Sequence, residues 1–143
     1  VVASFIAGPG AFAAVQVPTT LCAATIGVWL FYVQHQFQET QWDSHDDWDF
    51  HRQAIEGSSF YDLPAPLRWL TANIGIHHIH HLRSRIPSYR LHECLKDFPE
   101  LRTVNRLTLW QSLRCASLAL WDDSERKLLS FRAIRKGPTL IQE

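Results

Sequence analysis

The stretch Asn73-Ile74-Gly75-Ile76-His77-His78-Ile79-His80-His81-Leu82 holds four of the eight histidines of this 143-residue chain. Because residues three and four positions apart share one face of a helix, His77, His80 and His81 are predicted to point the same way. His78 is rotated by about 100° from His77 on such a helix and is not expected to join them. Three imidazoles on one face form one side of a metal site, and imidazole suits iron, zinc, copper and nickel alike. A surface histidine cluster, or a polar histidine pair inside a core, is the alternative interpretation.

A single helix is predicted around this histidine stretch. Pro64 and Pro66 fit before or within a first helical turn, and Pro87 is a natural stop. Between them an apolar row passes into a histidine row, in the order Leu67, Leu70, Ile74, His77 and His81. A stripe that changes from leucine to imidazole is typical of a helix that enters a metal centre in a bundle. Asn73, one turn before His77, is interpreted as a donor that orients a ligand, as a weak ligand or as an ordinary polar residue.

The bulk composition excludes several classes of protein. The chain has no methionine, not even at position 1, so we expect a fragment or a processed product. Its net charge is zero, so the chain has no overall positive charge that would favour binding of nucleic acid. The three cysteines lie far apart and form no CxxC pair, so we expect reduced thiols and neither a disulfide framework nor a zinc ribbon.

The N-terminal part is apolar and is predicted to be a membrane segment. Residues 1–38 carry no charge when His35 is counted as neutral, and Gly8-Pro9-Gly10 interrupts them. Residues 11–37 can cross a bilayer, since about 20 helical residues span a core of about 30 Å. Residues 1–7 look like the end of another helix. A buried soluble helix is one alternative; a signal peptide is the other, but no basic n-region or small-residue cleavage site is present.

His35 stands at the end of the predicted span. An ionisable residue at the edge of a membrane is a functional candidate, and the alternative is an interfacial histidine without a task. The following residues 42–62 combine aromatic rings with carboxylates, which is typical of a membrane–water interface. His45 and His51 lie in that segment outside any multi-histidine cluster, and we interpret them as interfacial residues or as partners of a ligand.

After Pro87 the chain is predicted to be soluble. Short helices are expected over residues 89–98 and 103–114, and a small hairpin, or alternatively a helix, over residues 116–134. Twelve of the fourteen Lys and Arg residues lie between Arg83 and Lys136, which favours the cytoplasmic side of a membrane.

These patterns predict a mainly α fold. It is a membrane helical domain fragment with one full transmembrane helix and the end of another, followed by cytoplasmic helices that carry the histidine stretch and by the C-terminal hairpin. We expect a transmembrane part at residues 1–38, a cytoplasmic or interfacial histidine region at residues 39–96 and a cytoplasmic tail at residues 97–143.

The order of these features resembles the C-terminal part of a membrane fatty acid desaturase of the histidine-box, di-iron type. The resemblance rests on Gln34-His35 after a membrane helix, the acidic aromatic segment, HxxHH from His77 to His81, and Ile86-Pro87-Ser88-Tyr89. It extends over nearly all of the chain and is closest to bacterial acyl-lipid desaturases of the omega-6 (delta-12) kind. The family pattern has three histidine boxes, and the chain contains what resembles the third.

The resemblance implies a chemistry and a set of site residues. The implied iron ligands are His35, His77, His80 and His81, and the residues expected around them are Gln34, Asn73 and His78. The implied enzyme introduces a double bond into an acyl lipid or an acyl thioester with O₂ and electrons from ferredoxin or cytochrome b5. With two boxes missing, this fragment alone is expected to be inactive. We expect an integral protein of the inner, cytoplasmic membrane, with the histidine box on the cytoplasmic side and no nucleic-acid partner.

Two alternative functions stay open at this point. One is a related membrane di-iron hydroxylase or ketolase, which would use the same metal centre with a different product. The other is a non-catalytic membrane module that binds or transports a metal. A transporter is expected to carry ionisable residues along several spanning helices, whereas the histidines here cluster beyond one span.

Overall fold

The computed structural model describes residues 2–135, which are mainly helical with two small sheets. Helices α1 to α8 span, in chain order, Val2–Ala7, Pro9–His35, Phe50–Glu56, Ala65–Leu70, His77–Leu82, Leu91–Asp97, Leu109–Cys115 and Phe131–Arg135. Strands β1 to β4 span Phe60–Asp62, Arg106–Thr108, Leu118–Asp122 and Lys127–Ser130. Short 3₁₀ helices span Ser88–Arg90 and Pro99–Arg102. The predicted mainly α fold class is confirmed.

Contacts divide the chain into two units, residues 1–32 and residues 33–143. The first unit contains α1 and most of α2, which are separated by Gly8 at a φ of 83°. The predicted break is therefore confirmed, and Pro9 begins α2, where its missing N–H costs least. Among residues 2–135, α2 is the helix that is long and apolar enough to cross a membrane. The division into residues 1–38, 39–96 and 97–143 stays a prediction.

The single helix predicted between Pro64 and Pro87 is wrong, because the chain turns between α4 and α5. Ala72 and Asn73 have φ values of 51° and 59°, in the left-handed region that ends a right-handed helix. Leu67 and Leu70 of the predicted buried row are exposed on α4. Asn73 consequently does not lie one helical turn before the histidines.

A contact with β1 holds the backbone just before α5. The Gly75 carbonyl accepts a hydrogen bond from the Tyr61 N–H at 2.7 Å, and Phe60 and Ile76 form an isolated antiparallel bridge. The two backbones approach so closely that a Cβ built on Gly75 would lie 2.3 Å from the Tyr61 carbonyl oxygen. β1 is distant in sequence from the histidines, so the helical periodicity around them does not predict this contact.

The two sheets correct one prediction and confirm another. β1 pairs in parallel with β2, so the helix predicted over residues 103–114 is wrong in its first half. α7 follows, and its start is a capping box between Thr108 and Gln111. β3 and β4 form the predicted antiparallel hairpin, although the chain turns into α8 after Ser130. The helix predicted over residues 89–98 is present as a 3₁₀ turn followed by α6.

A small hydrophobic core holds the second unit together. It consists of Phe60, Ile76, Ile79, Leu91 and Leu95, with Ile86, Cys94 and Leu101 packed against it. The core therefore joins β1, α5 and α6. Through Ile76 and Ile79 it holds one face of the histidine helix α5 in place.

A buried carboxylate ties the acidic segment to the hairpin. Asp43 accepts hydrogen bonds from Gln53, Arg52 and Arg126, and its side chain is only 2% exposed. The Gln53 hydrogen bond, together with both arginines, lowers the pKa of Asp43 below its usual range. Asp43 is thus an internal link between residues 42–62 and the β3–β4 turn, and not a solvated surface acid.

We predict that Gly75→Ala destabilises the chain by about 1–3 kcal/mol, because the new methyl group must displace the backbone of β1. The measurement is thermal unfolding in detergent, followed by tryptophan fluorescence. Gly10→Ala is the matched control, since a Cβ at Gly10 meets nothing within 4 Å. Equal melting temperatures for the two variants would refute the close approach.

Candidate metal centre

The C-terminal turn of α2 is held by hydrogen bonds to later parts of the chain. The Ser59 hydroxyl donates to the Val33 carbonyl at 3.1 Å, and the Ser59 N–H donates to the Gln34 carbonyl at 3.0 Å. The Gln34 side chain donates to the Ile74 carbonyl at 3.1 Å, just before α5. These bonds satisfy carbonyls that a helix end leaves unpaired, and they direct His35 toward α5.

Three ring nitrogens converge between α2 and α5. The Nε2 atom of His35 lies 3.2 Å from that of His81 and 3.3 Å from that of His77. The Nε2 atoms of His77 and His81 are 3.0 Å apart. The rings meet edge to face, with centroids 4.5 to 5.3 Å apart. His35, His77 and His81 therefore form a group that could hold a metal ion.

The spacing of the three nitrogens fits ligands of one ion. Two nitrogens bound at about 2.1 Å and about 90° to each other lie about 3.0 Å apart. Burial, followed by the charges of His81 and His35, lowers the pKa of His77 to about 3. Burial likewise lowers the pKa of His81. His77 and His81 are therefore neutral near pH 7, which is the form that binds metal.

His80 lies beside this group but does not share its close spacing. Its ring stacks on His77 with centroids 5.6 Å apart, and it lies 6.1 Å from the ring of His81. The predicted histidine face is thus divided: the structure brings His77 and His81 to His35 and leaves His80 at the edge. Its role as a ligand stays a prediction.

His78 points into the protein, away from the three nitrogens. It is fully buried, and its Nε2–H donates to the Leu101 carbonyl at 3.0 Å. Burial lowers its pKa to about 4 against the opposing effect of this hydrogen bond, so the ring is neutral at pH 7. The ring also packs at 5.7 Å from that of Phe60. His78 thereby attaches α5 to the Pro99–Arg102 turn.

Two of the residues expected around the ligands, Asn73 and Gln34, hydrogen-bond through their side chains to backbone carbonyls near α5. The Asn73 amide donates to the Ser88 carbonyl at 3.0 Å, and Gln34 binds Ile74 as described above. Within residues 2–135, His45 and His51 do not belong to the histidine group. Sequence reasoning missed Ser59 and Leu101, since their contacts with α2 and α5 are 26 and 23 residues apart and follow no local pattern.

An aromatic cavity of about 410 Å³ adjoins the histidine group. His35 and His81 form part of its wall, together with Trp42, Trp48 and Phe50. The Trp48 and Phe50 rings lie 6.4 Å apart, edge to face. The three nitrogens are therefore next to a space bounded by large apolar rings.

Comparisons with known proteins agree on one family. The sequence model of the family described as "Fatty acid desaturase" matches residues 1–112. A protein of Bacillus subtilis (strain 168) called "Fatty acid desaturase" is 44% identical over 130 residues. These residues are 91% of this chain but only 37% of that relative, so the chain spans little more than a third of its length. No solved structure matches this chain.

We predict that His81→Ala weakens Co²⁺ binding by the chain more than about 100-fold, because even the loss of an outer partner of a metal ligand costs about 10–100-fold. His45→Ala is the matched control and should bind normally. Absorption spectroscopy of Co²⁺ titrations gives both affinities. Equal affinities would show that His81 is not a ligand.

We predict a different effect for His78→Ala, which leaves the Leu101 carbonyl buried without its donor. The folded state should lose about 1–3 kcal/mol, while folded protein keeps its Co²⁺ affinity. Denaturant unfolding and the same titration measure the two quantities. A lower affinity with unchanged stability would contradict this assignment.

Proposed function

Because this chain belongs to the fatty acid desaturase family, we propose that it contributes part of the catalytic centre of an enzyme that introduces a double bond into an acyl chain. The observation that carries the proposal is the convergence of the His35, His77 and His81 nitrogens within 3.0 to 3.3 Å. The desaturase family is membrane-associated, and α2, which ends at His35, could span a membrane. In this proposal the acyl substrate lies in the membrane, next to the end of this helix.

The proposed cofactor is a pair of iron ions. His35, His77 and His81 are proposed to hold one ion, since their nitrogens share one small space. His80, whose ring lies apart from these three nitrogens, is proposed to hold the other. When bound, iron supplies the oxygen-activating chemistry that removal of two hydrogens from unactivated methylenes requires, and that no side chain supplies. Imidazole ligands alone do not select iron, because copper binds such ligands more tightly.

The protein fixes the positions of these side chains and keeps His77 and His81 neutral. The core behind Ile76 and Ile79 and the His78–Leu101 hydrogen bond hold α5, while Ser59 holds the end of α2. Because His77 keeps a pKa of about 3, a proton does not compete for its nitrogen near neutral pH. Ligands fixed in this way do not have to reorganise when a metal enters.

The aromatic cavity is the proposed place of the reacting part of the acyl chain. Trp42, Trp48 and Phe50 would contact methylenes and exclude water, while His35 and His81 face the same space. The proposed partners are an acyl lipid or acyl thioester, O₂ and an electron donor such as ferredoxin or cytochrome b5. The excess of Lys and Arg after residue 83 supports a cytoplasmic position of the histidines.

We predict that, in the full-length enzyme, His35→Ala, His77→Ala and His81→Ala each lose iron and desaturation. His80→Ala should lose activity and the ion that it holds, while His45→Ala keeps both. Metal analysis of folded protein, with mass spectrometry of the lipid for a product lacking two hydrogens, measures the outcome. The same products separate desaturation from hydroxylation. Loss of equal iron by His78→Ala and His80→Ala would overturn the ligand assignment.

We predict that residues 1–143 alone bind metal weakly and do not desaturate. Four candidate histidines complete only part of the coordination of two ions, so zinc, nickel and copper compete well for them. The test adds ferrous iron, reductant, electron donor and acyl lipid to the purified chain in detergent. Unsaturated product at a rate proportional to iron content would show a complete enzyme.

A further inference from the structure

A second cavity lies against α5 and does not include His35, His77 or His81. Its volume is about 480 Å³, and its wall is almost wholly apolar. Ile79 and Leu82 of α5 form one side, and Phe98 and Leu101 form another. It lies along the outer side of the hydrophobic core, where Leu101 packs and where Phe98 is 54% exposed. Apolar surface of this kind is costly to leave in water, which points to a ligand.

A cationic compartment adjoins this apolar cavity. Its volume is about 490 Å³, and the two spaces share Arg83, Ile86 and Cys94 as a common wall. Beyond Arg83, it is lined by Arg85 and Arg90 and by the carboxylates of Glu93 and Asp97. Three arginines against two carboxylates leave a net positive charge, and Arg90 already pairs with Glu93 at 3.7 Å. Arg83 and Arg85 thus provide positive charge next to an apolar space.

We propose that this pair of compartments binds an anionic amphiphile, with its acyl chain in the apolar cavity and its head group on the Arg83 side. The volume of the apolar cavity lies within the range of about 300–1,000 Å³ that is usual for small-molecule sites. An apolar protein segment would fill the cavity but would not use the arginines beside it. A ligand with an acyl chain and a carboxylate or phosphate head group would fill the cavity and also bind the arginines, since guanidinium groups bind such anions in pairs of hydrogen bonds. Fatty acids and anionic phospholipids share this chemistry.

The site is separate from the proposed reaction centre. Ile79 and Leu82 lie on α5, the helix that also carries His77 and His81; both line the apolar cavity, and Ile79 belongs to the hydrophobic core. A bound acyl chain packs against these two residues and binds only the folded arrangement. It therefore stabilises the position of the histidine helix by mass action.

Cys94 provides a direct measurement, because its thiol is on the wall shared by the two compartments. The full-length protein in non-ionic detergent is treated with N-ethylmaleimide, and mass spectrometry of peptides gives the alkylation rate of each cysteine. At about ten times its dissociation constant, a ligand that covers Cys94 slows its alkylation about tenfold. Oleate and dioleoylphosphatidylglycerol are the probes, and methyl oleate is the uncharged control.

Protection of Cys94 by oleate alone identifies a fatty acid site, and protection by the phospholipid alone identifies a lipid head-group site. Either result supports the proposal if methyl oleate protects much less. No protection overturns it, as does equal protection by methyl oleate. None of these results depends on desaturation, so failure of the proposed reaction would be distinguishable.

Variants test the head-group contact and the cavity separately. Arg83→Glu should abolish protection by oleate, while Arg132→Glu, which changes an exposed arginine outside both compartments, should leave it unchanged. Ile86→Trp should fill the shared wall and slow Cys94 alkylation even without ligand. Unchanged protection in Arg83→Glu would overturn the assignment of the head group, whether or not Ile86→Trp folds.

Discussion

The hydrogen bond from the Tyr61 N–H to the Gly75 carbonyl is the contact on which the site depends. It fixes the backbone between α4, which ends at Leu70, and α5, which begins at His77, with Ile76 already in the core. Only glycine permits an approach this close, because any Cβ would overlap the Tyr61 carbonyl. The helix sets which histidines share a face, and the contact with the preceding strand β1 fixes the start of that helix.

Burial of imidazole is the second constraint, and it suits a metal ligand. A buried neutral ring keeps its lone pair, whereas a charged ring would lose its hydration without a counter-charge. His77 and His78 are both buried, and burial lowers the pKa of both rings, but the two rings point to different partners. His78 uses its N–H to bind a carbonyl, while the Nε2 of His77 meets two other imidazole nitrogens. Neighbouring residues of the same type thus take a structural and a proposed catalytic role.

Helix α5 separates two kinds of space. On one side, the histidine nitrogens adjoin a cavity bounded by Trp42, Trp48 and Phe50. On the other side, Ile79 and Leu82 adjoin an apolar cavity that continues to Arg83. A six-residue helix can serve both because its faces differ in chemistry at three- and four-residue spacing. In the functions proposed for these two spaces, α5 carries ligands of the redox metal on one face and part of the binding site for an anionic amphiphile on another.

Local sequence determined the parts that depend on near neighbours. The long apolar helix after the break near Gly8 and the shared face of His77 and His81 follow from periodicity and turn residues, whereas the hairpin from Leu118 to Ser130 is one of the two structures that the pattern of residues 116–134 allows. The approach of His35 was expected from a family resemblance, and its 3.2 Å distance to His81 required the fold. Tertiary structure alone decided the break before α5, the parallel pairing of Phe60 with Arg106, the His78–Leu101 bond and the displaced position of His80. For the first three the physical reason is a backbone group that hydrogen-bonds a partner 14 to 46 residues away, which local patterns do not predict.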